Sequence, residues 1–173
     1  MTLLDRVHAR LDHHGVHHAL IGAAALAAAG IARSTFDIDL LTTDDRVLSD
    51  AFWQVLRESG VHVDVRPGDA DDPLAGIVRL QDGDDRPVDL IVGRHSWQAR
   101  AVERATPLAN GPPVVLPRDL VLLKLYAGGT QDLWDVHALL ALPGAPALIA
   151  DVEADLAALP PIMRERWGQA RAH

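Results

Sequence analysis

Residues 35–41, TFDIDLL, alternate apolar and acidic side chains. The two-residue period of a β-strand puts Phe36, Ile38 and Leu40 on one face and Asp37 and Asp39 on the other, with the two aspartates about 7 Å apart along the backbone. Such a strand belongs in a sheet with one face packed on a core and the other open to a polar site, because a one-residue slip would bury both carboxylates.

The flanking segments supply the layers this strand needs. Leu3, Leu4, Val7 and Leu11 recur at helical spacing up to Gly15, which predicts a first amphipathic helix. HALIG, ending in Gly22, reads as a short strand, and AALAAAG as a helix stopped by Gly30. After TFDIDLL, Thr43 or Asp44 is placed to cap a helix whose stripe is Val47, Leu48, Phe52, Val55 and Leu56, ending at Gly60. VHVDV and GIVRL read as strands, and QDGDD as turn chemistry before the strand RPVDLIV. With Val88, Leu90 and Val92 packed inward, Asp89 points to the opposite face of its strand. SWQARAVERA resumes helix, and ATPLANGPP is a turn-rich connector. Beyond it lie three helical stretches: one starting at Pro117 and closing on two glycines, one that Thr130 could cap, and a tail broken at Pro160 and Pro161. The expectation is an α/β (α+β) architecture: a mixed sheet flanked by helices over residues 1–105, with a helical C-terminal part over 106–173.

Composition narrows the function. Twenty-four acidic against 16 basic residues give a net charge of −8, which disfavours broad non-specific nucleic-acid binding while leaving a local basic pocket open. Aromatic residues are 4% of the chain, too few for a dedicated base-stacking platform, and Trp53, Trp97, Trp134 and Trp167 read as core or interface anchors. With no cysteine there is neither a disulfide framework nor a thiolate metal site. No apolar signal core or membrane-length run is present, so a soluble, cytoplasmic protein without a membrane partner is expected. His13, His14, His17 and His18 cluster around Gly15, which interrupts the spacing of a two-histidine metal face; the segment reads as a solvated junction, with adventitious metal binding as the lesser alternative.

Carboxylates gathered on one sheet face repel one another and call for a cation. Mg²⁺ fits, since it takes oxygen ligands and substrate phosphates, and two such ions can clamp the attacking and leaving oxygens of a phosphoryl-type displacement. The turn at Gly22 and Ala23 opens a helix, and its small side chains permit close approach of a phosphate.

GAAALAAAGIARSTFDID resembles the signature of the nucleotidyltransferase superfamily related to DNA polymerase β, especially its AbiEii-like branch, where a Gly-Gly or Gly-Ser turn leads through Gly-x-x-Arg-x-Thr to Asp-x-Asp. Gly22, Ala25, Gly30, Arg33, Thr35, Asp37 and Asp39 fall in matching places. The resemblance implies a nucleotidyltransferase fold, metal-binding and catalytic roles for Asp37 and Asp39, and an NTP-phosphate turn at Gly22 and Ala23. Ala23 stands where the family commonly has Gly or Ser and so lacks the hydroxyl. Asp89 matches the third family carboxylate, a metal ligand or general base. LLKLYAGGTQDLWDV is similar to a Lys…Asp-x-x-Asp element of the same branch, which implies that Lys124 contacts the nucleotide with Arg33 and Thr35, while Asp132 and Asp135 order the pocket. The implied activity is Mg²⁺-dependent transfer of an NMP from an NTP to an acceptor hydroxyl, with RNA as the first expectation, as in AbiEii-like toxins paired with an antitoxin protein, and a small molecule such as an aminoglycoside as the alternative. A non-catalytic nucleotide-binding or protein-interaction domain of the same fold is the alternative from another class.

Overall fold

The computed structural model describes residues 1–172. Helix α1 (Leu3–His13) is fastened at its start by Thr2 and Asp5, each side chain bonded to the other's backbone N–H, and it buries Leu3, Val7 and Leu11. There follow β1 (His18–Leu20), α2 (Gly22–Ala28), β2 (Ile38–Thr42), a segment of 3₁₀ turns ending in α3 (Gln54–Glu58), β3 (His62–Pro67), β4 (Gly76–Gln81), β5 (Val88–Val92) and α4 (Ser96–Glu103). The C-terminal helices are α5 (Pro117–Ala127), α6 (Thr130–Leu140), α7 (Ala145–Leu156) and α8 (Pro161–Arg171).

The five strands form one mixed sheet in the order β1-β2-β5-β4-β3. Only the central β2–β5 pair is parallel; the other neighbours run antiparallel. Along β4 and β5, Val78, Leu80, Val88, Leu90 and Val92 are buried, while Arg79 and Asp89 between them reach the other face. A single cluster of buried side chains runs from Leu3 through the sheet to Leu120, Val136, Met163 and Trp167. The connector joins the sheet as well. Leu20 bonds to Pro113 and Val115 through backbone N–H and C=O, extending the edge at β1. Among the described residues no helix is long and apolar enough to cross a membrane.

Four local expectations need correction. Residues 45–53 form two 3₁₀ turns because Ser49 is extended, and only residues 54–58 are α-helical. The stripe shifts accordingly: Trp53 is buried with its indole N–H donating to the Val47 carbonyl at 2.7 Å, whereas Val55 is exposed. Phe36 is also exposed, since β2 begins at Ile38 and Asp37 lies just ahead of it. Gly129, not Thr130, is the cap residue of α6, and Asp132 accepts its N–H at 3.0 Å. Finally, His18 is buried, so the histidine segment is not wholly solvated.

Candidate active site

Gly22 ends β1's turn with φ +58°, a left-handed conformation that suits glycine. Its missing side chain also matters sterically: a Cβ there would lie 2.2 Å from Asp39 Oδ2. The Ile21 N–H donates to the Asp39 carbonyl at 3.0 Å, so turn and strand are stapled together. No side chain caps the start of α2, and Ala23 is buried.

Asp39 and Asp89 are directly paired across β2 and β5, and on the far side Arg79 of β4 is paired with Asp89. In-register neighbours share a face, so three charged side chains stand abreast on the sheet. Arg79 donates to Asp89 Oδ2 at 3.1 Å and to Asp37 Oδ1 at 3.3 Å, bridging two of the carboxylates. Arg86 fixes the approach to β2 by donating to the carbonyls of Thr35, Phe36 and Asp37 at 3.2–3.3 Å. The Thr35 hydroxyl donates to the Asp37 carbonyl at 3.4 Å, which makes Thr35 a local brace of the loop.

Burial is what disfavours negative charge on this face. Burial pushes the Asp39 carboxyl above its ordinary pKa; Lys124 opposes that shift and Asp37 adds to it. Burial likewise raises Asp89, against the pull of Arg79 and with repulsion from Asp37 and Asp39. Asp89 Oδ1 is buried with no hydrogen-bond partner, an arrangement that an added cation would satisfy. The three aspartates do not converge as tightly as a preformed cage. Among the described residues the trio whose ligand atoms lie within 4.8 Å of one another is His8, Asp12 and His18.

A second group of charges, on the C-terminal helices and on the loop before β2, faces Asp39. Lys124 Nζ lies 2.8 Å from Asp132 Oδ1 and 2.9 Å from Asp135 Oδ2, and Arg33 Nη1 lies 2.6 Å from the same Asp135 oxygen. Gln131 donates to the other Asp135 oxygen at 3.2 Å. Lys124 is thus held in place by both acidic residues of α6 instead of extending into water. A cleft of about 300 Å³ brings together Gly22, Asp39, Lys124 and Asp132, with Pro73 and Tyr126 on its wall. Asp37, Asp89, Arg33, Ala23 and Thr35 are outside its lining.

Sequence reasoning did not single out Arg79 or Arg86. The alternation of GIVRL marks Arg79 as outward-facing, but its place beside Asp89 depends on β4 pairing with β5, which no local pattern specifies. Arg86 binds only backbone carbonyls, and its short-range signal is nothing more than an arginine ahead of a strand.

The five-stranded mixed sheet flanked by helices has the nucleotidyltransferase fold, which it shares with the ANT(2'')-Ia structures. The chain is similar to ANT(2'')-Ia in complex with adenylyl-2''-tobramycin, with TM-score 0.55, 17% identity, and coverage of 92% of this chain and 93% of that one. The solution structure of the antibiotic-resistance factor ANT(2'')-Ia gives TM-score 0.53 and 16% identity over 95% and 91% of the two chains. An antigenic nucleotidyltransferase-like protein from Paracoccidioides brasiliensis follows at 0.48 and 16%, over 96% and 84%. No protein-family model matches the chain, and no curated protein matches it. At these identities the likeness is one of fold.

Proposed function

We propose that this chain is a Mg²⁺-dependent nucleotidyltransferase that moves an NMP from an NTP to a hydroxyl of a small, amine-rich acceptor. The observation that carries the reading is the Asp39–Asp89 pair, abreast on adjacent strands, with a buried unpartnered oxygen on Asp89 and Gly22 pressed against Asp39.

Asp37, Asp39 and Asp89 would hold the divalent ions, and their oxygen donors, including the unpartnered Asp89 Oδ1, fit Mg²⁺. Bound there, the metal would draw charge from the reacting phosphate and favour deprotonation of the acceptor. The chain's own contribution is positioning and proton handling. An acceptor hydroxyl oxygen forms a bond to the α-phosphorus, the bond from that phosphorus to the β-phosphate oxygen breaks, and pyrophosphate leaves with the electron pair. Asp89, with its carboxyl raised by burial, is suited to take the hydroxyl proton. Gly22 and Ala23 let the backbone approach the phosphates, while Lys124 and Arg33, oriented by Asp132 and Asp135, supply fixed positive charge.

Two observations support a small cationic acceptor: the whole-length likeness to a protein captured with adenylyl-2''-tobramycin, and the net charge of −8. The Arg-x-Thr-x-Asp-x-Asp and Lys…Asp-x-x-Asp elements favour RNA as the second reading. Incubation with each α-labelled NTP, Mg²⁺ and either an aminoglycoside panel or bulk RNA separates them. Label on an aminoglycoside is the expected result; label on RNA alone would transfer the proposal to the RNA acceptor, and label on neither would reject both.

A further inference from the structure

A second set of potential ligands lies at the junction of α1 and β1. One ring nitrogen each of His8 and His18 and a carboxylate oxygen of Asp12 lie within 4.8 Å of one another. His8 and Asp12 are four residues apart on one face of α1, and His18 starts β1 after the Gly15 turn brings the chain back. His8 Nδ1 stands 2.8 Å from His18 Nε2, and His8 Nε2 lies 3.6 Å from Asp12 Oδ2.

His18 is already arranged as a ligand. Its Nδ1 lies 2.8 Å from the Val16 carbonyl, which can only accept, so Nδ1 carries the proton and Nε2 presents its lone pair toward His8. That outer hydrogen bond from a ligating histidine to a backbone carbonyl is the usual companion of a metal-bound imidazole. His18 is buried, which holds its ring in one orientation. A cleft of about 370 Å³, lined by Asp12, His17, His18 and Glu103, gives access from solvent and room for a water ligand.

We propose that His8, Asp12 and His18 form a Zn²⁺ site that fastens α1 to β1. Two imidazoles and one carboxylate suit Zn²⁺ and disfavour Mg²⁺, which prefers an all-oxygen shell. Nitrogens sharing a tetrahedral zinc stand about 3.3 Å apart, given Zn–N bonds near 2.05 Å. The two imidazoles therefore need about half an ångström of opening, and the exposed Asp12 side chain, now 3.6 Å from His8 Nε2, has to swing toward the Nδ1 side that faces His18. Binding displaces the proton shared between the two rings and holds the helix to the sheet edge. The site uses none of the residues assigned to nucleotide transfer.

The test is titration of the full chain with Zn²⁺ by calorimetry, with Mg²⁺ in excess to occupy the acidic face, and with Co²⁺ as a visible-absorption probe. The expected result is one Zn²⁺ per chain, four-coordinate Co²⁺ bands, and a rise in Tm on binding. His8→Gln and Asp12→Asn should each weaken binding by at least about tenfold, while a His13→Gln/His14→Gln double variant should bind like the parent. Asp12 is exposed, so its variant tests the ligand set without disturbing the core. Absence of saturable one-to-one binding, binding unchanged by both single variants, or loss of binding in the double variant would overturn the proposal.

Discussion

Asp39 and Asp89 face each other across the only parallel strand pair in the sheet, and burial raises the pKa of both carboxyls. A raised acid pKa means that the folded chain holds the proton more tightly than the unfolded chain does. The resulting stabilisation is complete below the ordinary carboxylate pKa near 4 and is lost as pH rises through the raised folded values. At neutral pH the charged pair therefore costs stability. Asp89→Asn should raise the metal-free Tm by about 2–4 °C at pH 7, with the gain over the parent shrinking as pH falls toward about 4. The same variant should lower transferase turnover by at least about 100-fold. A variant that is both less stable at pH 7 and fully active would contradict this account of Asp89.

Gly22→Ala tests the contact between turn and strand. The substitution places a Cβ 2.2 Å from Asp39 Oδ2 at a φ of +58°, so either Asp39 moves or the turn does. The left-handed conformation alone costs about 1–2 kcal/mol, which corresponds to a Tm loss of roughly 2–8 °C in a domain of this size. Nucleotide transfer should fall far more than stability, as measured by turnover at a temperature where circular dichroism shows the variant folded.

Arg79 is the counter-charge present on the acidic face, touching Asp89 and Asp37 together. A divalent ion competes with it. Arg79→Met should therefore lower the metal-free Tm, by leaving both carboxylates unpaired, and enlarge the Tm rise that Mg²⁺ produces. A Mg²⁺ response smaller than the parent's would show that Arg79 helps to build the ion's site.

These residues also mark how far the sequence could be read. The alternation of TFDIDLL and PVDLIV places Asp39 and Asp89 on outward faces, and a parallel β2–β5 pair brings them level. Hydrophobic periodicity was sufficient for α1, whose buried positions repeat at helical spacing, while α5 was legible from Pro117 at its start and the two glycines after it. It failed between residues 45 and 58, where the need to bury Trp53 and satisfy its indole N–H outweighs the helical stripe that included Val55. The charge network of Arg33, Lys124 and Asp135 spans about a hundred residues of sequence, and only the family resemblance linked its members. Arg79 and the His8–Asp12–His18 group were illegible for the same reason: their partners are set by strand order and by the path of a turn.

Asp135 is 4% exposed and is the shared partner of Arg33 and Lys124. Asp135→Asn removes the negative charge between two cations and should destabilise the fold by about 2–3 kcal/mol. Because Lys124 loses its orientation, KM for the NTP should rise more than kcat falls. An unchanged KM with a lowered Tm would restrict Asp135 to a structural role.

The account rests on an acidic face that binds a nucleotide together with a divalent ion. Calorimetry of each NTP with the intact chain, with and without Mg²⁺, and repeated on an Asp37→Asn/Asp39→Asn variant of native-like circular dichroism, tests this whatever the acceptor. The account predicts saturable, Mg²⁺-dependent binding of at least one NTP by the parent and its loss in the double variant. Failure of the parent to bind any NTP in the presence of Mg²⁺, or equal binding by both proteins, would contradict it.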